Sequence, residues 1–476
     1  MTRKPICLIL TWLSVCLPST LLAEAPKGIK PTALDHHIAE PDPAYAWSVA
    51  KTIDTPQGKT IVINLKSQSW LTAKEVDRPV WEHWLVVSVP NKVRTSKAFL
   101  MIGGGGNDRP MPTSADGMTA LIAQSVGGVV AELKMVPNQP LIFHGDGQPR
   151  KEDDLIGYAW AEFLKGADAE WLPRLPMTKS AVRAMDCLQE FMASEAGGKV
   201  TIDKFIVAGG SKRGWTTWMT GVADARVAAI IPIVIDVANC EPSLRHHAEV
   251  YGFWAEAIGN YYQHKILQQF DHPRMQELYR IVDPYYYRDR LTMPKLILNA
   301  SGDQFFCPDS SQYYFDSLPG EKLLRYVPNA DHGLKGSDAL ESIISFYQMI
   351  VSDKPRPQYS WTFTDNGSIH VKCAAAPKEA VLWQATNPNA RDFRLQSIGP
   401  AFKSTKLTAN GDGCFTAKVE QPAKGWSAFF VELTFDTGVP QPMKVSTAVR
   451  IVPDKLPYAG IDLKTVKYEP EVKGKQ

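Results

Sequence analysis

No H-E-x-x-H or C-x-x-C occurs in the 476-residue sequence, and zinc-finger spacing is absent. This removes the common zinc-ligand patterns. The adjacent pairs His36-His37 and His246-His247 project in different directions on a strand and share one ion poorly. No metal and no other cofactor is expected. Charge of one sign is not in excess either, with 52 Lys and Arg against 50 Asp and Glu. Without a basic stripe or an RNA-binding motif, the chain has no long-range pull toward nucleic acid or anionic lipid. Internal repeats and low-complexity tracts are lacking, which excludes rods and pervasive disorder. After the first 22 residues no apolar run is long enough to span a bilayer. What is present is a 44% hydrophobic fraction with 13 Trp, 16 Tyr and 18 Phe. That composition supports a real core, and the length suggests two domains.

The beginning of the chain has the layout of a secretory signal. Arg3 and Lys4 precede the apolar run Ile6–Leu22, and Ala23 offers a small residue for cleavage. Residues 1–23 are expected to be removed and the rest exported, to the periplasm or outside the cell. Val15 stands where a lipoprotein signal wants Gly or Ala, which disfavours lipid attachment at Cys16. Export implies an oxidising compartment. Five cysteines remain after residue 23, so at most two disulfides form. Cys373 with Cys414 and Cys240 with Cys307 are the expected pairs, and Cys187 reads as a buried thiol.

Residues 24–354 read as one α/β domain. Apolar strands are expected at 60–65, 83–89, 98–102, 127–136, 205–208, 228–235, 295–299 and 322–326. Helical patterns at 153–165, 180–194 and 310–318 alternate with them. Such alternation implies a mostly parallel sheet covered by helices on both faces. After Pro355 and Pro357 the helical period vanishes. Residues 358–453 show short runs separated by turn signals such as Asp365-Asn366-Gly367, the texture of an antiparallel sandwich of immunoglobulin or fibronectin kind. The polar tail, 454–476, is expected to be loosely held.

The chemistry gathers around Ser211. In Phe205–Gly214 (FIVAGGSKRG) a buried strand runs through small residues to a serine and then into a helix. This is the strand–turn–helix setting of a nucleophile elbow. Gly209 stands two before the serine. Arg213 stands two after, where the common G-x-S-x-G pattern has glycine, and Gly214 follows. A serine nucleophile needs a base, and the base needs an orienting acid. Asp303 and His332 each fall in a loop after a strand, in the order Ser, Asp, His. Asp236 and Asp331 are the rival acids. Oxyanion donors are expected from Gly104 and Gly105 in the Gly103–Gly106 run and from Lys212. That run lacks the G-K-S/T ending of a P-loop, which argues against a nucleotide site.

The stretches GGSKRGWTTW (209–218), MVPNQPLIF (135–143), EDDLIGYAW (152–160), NASGDQFF (299–306) and NADHG (329–333) resemble the PhoPQ-activated pathogenicity-related protein family, the PqaA type. The resemblance implies an exported α/β-hydrolase with a regulatory or virulence association and no defined reaction. The elbow is also similar to the G-C-S-R-x-G of glucuronoyl esterases, where a basic residue after the serine assists the oxyanion. Lys212 holds that place here.

Residues of about 237–292, rich in aromatics, are expected to form a lid. Arg213, Trp215, Trp254, Asn138 and Glu152 are the candidate substrate contacts, and Arg245, His246 and His247 could add polar ones. The expected substrate contains an ester or a peptide bond and could be polymeric, with esters ahead of peptides because no acid pair is evident to hold a peptide amino terminus. The alternative is a binding or signalling protein on a retired hydrolase scaffold.

Overall fold

The computed structural model describes residues 31–473. The expected leader, 1–23, and Cys16 lie outside the described residues. Ten strands precede residue 330: β1 (Ala46–Thr55), β2 (Gly58–Ser69), β3 (Val80–Pro90), β4 (Lys97–Ile102), β5 (Val130–Leu133), β6 (Lys204–Gly210), β7 (Val227–Ile233), β8 (Phe253–Trp254), β9 (Lys295–Ala300) and β10 (Lys322–Val327). All but β8 form one nine-stranded sheet in the order β1-β2-β3-β5-β4-β6-β7-β9-β10. The pairings from β1 to β5 are antiparallel and those from β5 to β10 parallel. This is the α/β-hydrolase fold, as expected. The edge strand β1 was not foreseen, because it is mostly exposed and polar and carries no buried alternation.

Successive residues of a strand point to opposite faces, and here both faces are packed. Phe205 and Val207 of β6 join one core with Leu100, Ile230 and Leu324. Ile206 and Ala208 join the other with Phe99, Ile231 and Leu298. The helices are α1 (Ala33–Ala39), α2 (Gly117–Val126), α3 (Glu152–Lys165), α4 (Arg174–Ala193), α5 (Lys212–Ala223) and α6 (Cys240–Tyr251). Side chains of α1, α3, α4 and α5 cover the first core. Those of α2 and of the helix Ala339–Val351 cover the second.

The chain leaves β4 toward β5 on one side and returns to β6 on the other. The strand order therefore reverses between β4 and β6, and α/β sheets place ligands in the crevice outside such strand ends. The glycine run leaves β4 at that point, and Ser211 leaves β6 beside it.

The C-terminal region forms two antiparallel sheets. One pairs Tyr359–Phe363, Ser368–Cys373 and Phe415–Lys418. The other is built on Glu379–Asn387 and Trp426–Phe435. Ile369 and Val371 of the first share a core with Val431 and Leu433 of the second.

Three expectations are corrected. The tail is tied down: Lys467–Tyr468 pairs with β8, Leu463 and Val466 are buried, and Glu469 is buried against Arg394 at 2.8 Å. The helix expected at 310–318 is only the turn Ser310–Tyr313. Serines are weak helix formers, and the preceding Asp309 is held by His246 and Arg391 instead of capping. All five described cysteines are free thiols. Cys240 opens α6 with its N–H on Asp283, whereas Cys307 packs with Val250 and Tyr251. The register pairs Val371 with Phe415, and continued one step it sets Cys414 opposite Lys372 rather than Cys373.

Candidate active site

Ser211 sits at φ 57°, ψ −127°, a region that L-residues avoid. The surroundings enforce it. The Ser211 N–H donates to the Ile233 carbonyl at 2.8 Å, and its own carbonyl accepts from Trp215 N–H at 3.0 Å. A Cβ on Gly209 would lie 2.6 Å from the Arg213 carbonyl oxygen, and one on Gly214 would lie 2.9 Å from those of Gly209 and Ile233. Both glycines are therefore needed for the helix to leave the strand so sharply. Gly214 supplies the clearance that the common pattern places one residue earlier. Ser211 also precedes the first turn of α5, whose N–H groups have no intrahelical acceptor.

Arg213 can differ from that pattern because its side chain turns under the glycine run. Its guanidinium makes a two-pronged pair with Glu152 at 2.7 and 2.8 Å, and its Nε donates to the Val136 carbonyl. A Cβ on Gly104 would lie 2.6 Å from Arg213 Nη2. Glycine there is the counterpart of arginine at 213. Lys212 Nζ lies 2.9 Å from Glu152 and 3.0 Å from Asp153. Gln139 both donates to the Glu152 carboxylate at 2.6 Å and accepts its N–H at 2.7 Å. Burial would raise the Glu152 carboxyl, but Arg213 and Lys212 hold it down to about 2. Glu152 thus ties the elbow to the glycine run. Gly103 N–H and the carbonyls of Gly103 and Gly104 are used in holding the loop on residues 133–136.

His332 Nδ1 lies 2.8 Å from Asp303 Oδ2, and Asp303 Oδ1 accepts Phe305 N–H at 2.7 Å. A carboxylate on Nδ1 takes the ring proton there and leaves Nε2 as the acceptor. That Nε2 is buried and has no partner among the described residues. No hydrogen bond joins it to Ser211 Oγ in this arrangement. The rival acids are engaged elsewhere. Asp331 accepts Gly333 N–H, and Asp236 accepts the hydroxyls of Tyr314 and Tyr326. Burial raises the Asp236 carboxyl to about 7, the two hydroxyls work against this, and nearby Asp303 adds to it.

A cavity of about 60 Å³ opens beside Ser211. Lys212 and Trp215 line it, as do Phe305 and Phe306, whose rings pack against His332 with centroids 4.2 and 6.0 Å away. Other expected contacts are not there. Asn138 lines a separate surface cavity with Arg78 and Trp84, because its amide is held on β3 by donating to the Glu82 carbonyl. Trp254 is fully buried, stacked on His247 in the small core that the tail closes. His246 is bound to Asp309 and does not line the cavity either. Arg213 and Glu152 brace the loop rather than line the cavity. Asp153, Trp160 and Arg174 do line it and were not singled out. Asp153 and Trp160 lie within the EDDLIGYAW stretch. Arg174, set in the apolar run Trp171–Met177, was the available signal for a buried charge.

A family model of PhoPQ-activated pathogenicity-related proteins matches residues 34–394, and the chain belongs to that family. Autocrine proliferation repressor protein A of Dictyostelium discoideum is 36% identical over 470 residues, covering 92% of this chain and 94% of that one. Among solved structures, acetyl xylan esterase 1 from Thermoanaerobacterium is similar with a TM-score of 0.48 and 12% identity, over 67% of this chain and 91% of that one. A Mycobacterium tuberculosis puromycin-hydrolyzing peptidase is similar with a TM-score of 0.39 and 16% identity, over 64% of this chain and 49% of that one.

Proposed function

We propose that this member of the PhoPQ-activated pathogenicity-related family is an exported serine hydrolase. Ser211 attacks an ester or amide carbonyl. His332 takes the hydroxyl proton on Nε2 and returns it to the leaving group, and Asp303 orients the ring. The N–H groups of Gly104, Gly105 and Lys212 receive the developing oxyanion, each such donor contributing roughly 2.7–4 kcal/mol to the transition state. The acyl-enzyme is then released by water. The observation that carries this reading is a pair of constraints, one on the serine and one on the histidine. A serine is held in a strained elbow, and a histidine anchored at Nδ1 keeps a free Nε2. The Ser211–His332 bond would form on substrate binding, since such bonds often tighten only with substrate.

Esters come before peptides. Asp153 lines the cavity with Glu152 next to it in the chain, and both are engaged by Lys212 or Arg213. Neither is a free acceptor for a peptide amino terminus. A panel of short-chain esters and aminoacyl amides, with Ser211→Ala as the control, tests the reading. Turnover of esters that the variant lacks supports it, and equal rates for both proteins defeat it.

A second reading, a signalling protein on a hydrolase scaffold, has two supports. They are the open Ser211–His332 contact and the likeness to the Dictyostelium autocrine proliferation repressor. Unchanged biological effect of Ser211→Ala together with no turnover would favour it.

A further inference from the structure

Arg174 is placed where an arginine is hard to keep. It is 1% exposed and occupies the first turn of α4, against the positive end of the helix dipole, and that turn carries no acidic residue. None of the described acidic side chains forms a salt bridge with it. Its Nη1 donates to the Lys212 carbonyl at 3.0 Å, and its guanidinium lies 4.4 Å from the centre of the Trp215 ring. Its Nε has no partner. A buried charge without a counter-ion is costly, and removing one partner from a buried pair is among the largest single losses a fold sustains. The Trp160 indole, 3% exposed in the same wall, also leaves its N–H unpartnered. Arg174 and Trp160 therefore both line the cavity beside Ser211, and each keeps a buried N–H without an acceptor.

The charges agree. Asp153, Arg174 and Lys212 are the charged side chains in the lining. Asp153 is already neutralised by Lys212 at 3.0 Å and accepts the Tyr261 hydroxyl at 3.1 Å, which leaves the positive charge of Arg174 over. The rest of the lining is largely apolar, from Ile235 and Val237 to Phe305 and Phe306. The cavity is narrow, which suits a short chain.

We propose that Arg174 and Trp160 form the acyl-recognition end of this cavity and select a short acyl group ending in a carboxylate, of the succinyl or glutaryl class. The inference rests on the hydrolase reading and names its substrate class. The acid's far carboxylate takes the counter-ion place on Arg174, and Trp160 N–H donates to it. The ester carbonyl is left at Ser211. A brace for the elbow would explain the Nη1 bond to Lys212, but neither of the two idle donors.

The test compares p-nitrophenyl hemisuccinate with p-nitrophenyl butyrate and with the ester of 4-aminobutyrate, using the full chain. The acidic ester is expected to exceed the neutral one in kcat/KM by about tenfold to a hundredfold, the worth of one charge-assisted hydrogen bond. Arg174→Met collapses that ratio and Arg174→Lys restores part of it. A purely structural arginine would lower all three substrates together, and that result overturns the proposal. So does preference for the neutral or the cationic ester. If none of the esters is turned over, binding decides. Ser211→Ala is titrated with succinate, and with uncharged butyramide as control. Saturable succinate binding that Arg174→Met removes supports the site even if the hydrolase reading fails. Equal binding of the two compounds, or none, sinks it.

Discussion

A methyl group added at Gly104 has almost no room. It would lie 2.6 Å from Nη2 and 2.8 Å from Cζ of Arg213. The guanidinium is the end of a flexible side chain, but here it is pinned by two bonds to Glu152 and one to the Val136 carbonyl. Either Arg213 leaves Glu152, or the glycine run lifts off the elbow. Overpacking of this kind costs about 1–3 kcal/mol. Glu152 is 40% exposed at its side chain, so the loss of its pairing adds less than the 3–5 kcal/mol of a fully buried pair. The rate should suffer more than the stability. Displacing one oxyanion donor lowers kcat by about 10²–10³, so Gly104→Ala is expected to fold with a modestly lower Tm and to lose most ester turnover. Arg213→Ala removes the obstacle. In the double variant the added methyl should cost little beyond Arg213→Ala alone, a coupling of about 1 kcal/mol or more in ester kcat/KM. Wild-type turnover in Gly104→Ala, or effects that simply add, would refute the paired role of residues 104 and 213.

Other consequences can be checked separately. Asp303→Asn should leave the imidazole without its anchor and lower ester kcat by about 10²–10⁴ with little change in KM, measured by steady-state kinetics. Asp236 has a folded pKa of about 7, above its ordinary 3.8. The stability it contributes is therefore full at low pH and is lost as the pH rises from about 4 through 7, to a total of about 4 kcal/mol. Asp236→Asn should flatten that part of the Tm profile between pH 4 and 7, and parallel profiles would count against it. Glu469→Gln breaks a pair whose partners are 1% and 2% exposed. It is expected to cost about 2–4 kcal/mol, since Arg394 keeps Asp392, and urea melts would show it.

The sheet was legible because its strands are buried on both faces and read as unbroken apolar runs, as in FIVA of β6. The order of Ser211, Asp303 and His332 was legible because each follows such a run. What the sequence hid are contacts between distant segments. Nothing local at Arg213 says that its charge is taken by Glu152, 61 residues away in the chain. Nothing local at Asn138 says that it faces Glu82. The lid aromatics were divided by tertiary packing, Tyr261 going to the cavity wall and Trp254 to a core closed by the tail. Leu463 and Val466 gave too short an apolar signal to reveal that closure. Arg174 escaped notice because its meaning lies in the counter-ion that the fold withholds.

The most direct measurement is intact-mass and peptide mapping after treatment with a fluorophosphonate. The account requires one adduct, on Ser211, formed by the native protein and suppressed in His332→Ala although that variant remains folded. An unmodified Ser211 in folded protein, or labelling undiminished by the loss of the imidazole, would contradict it.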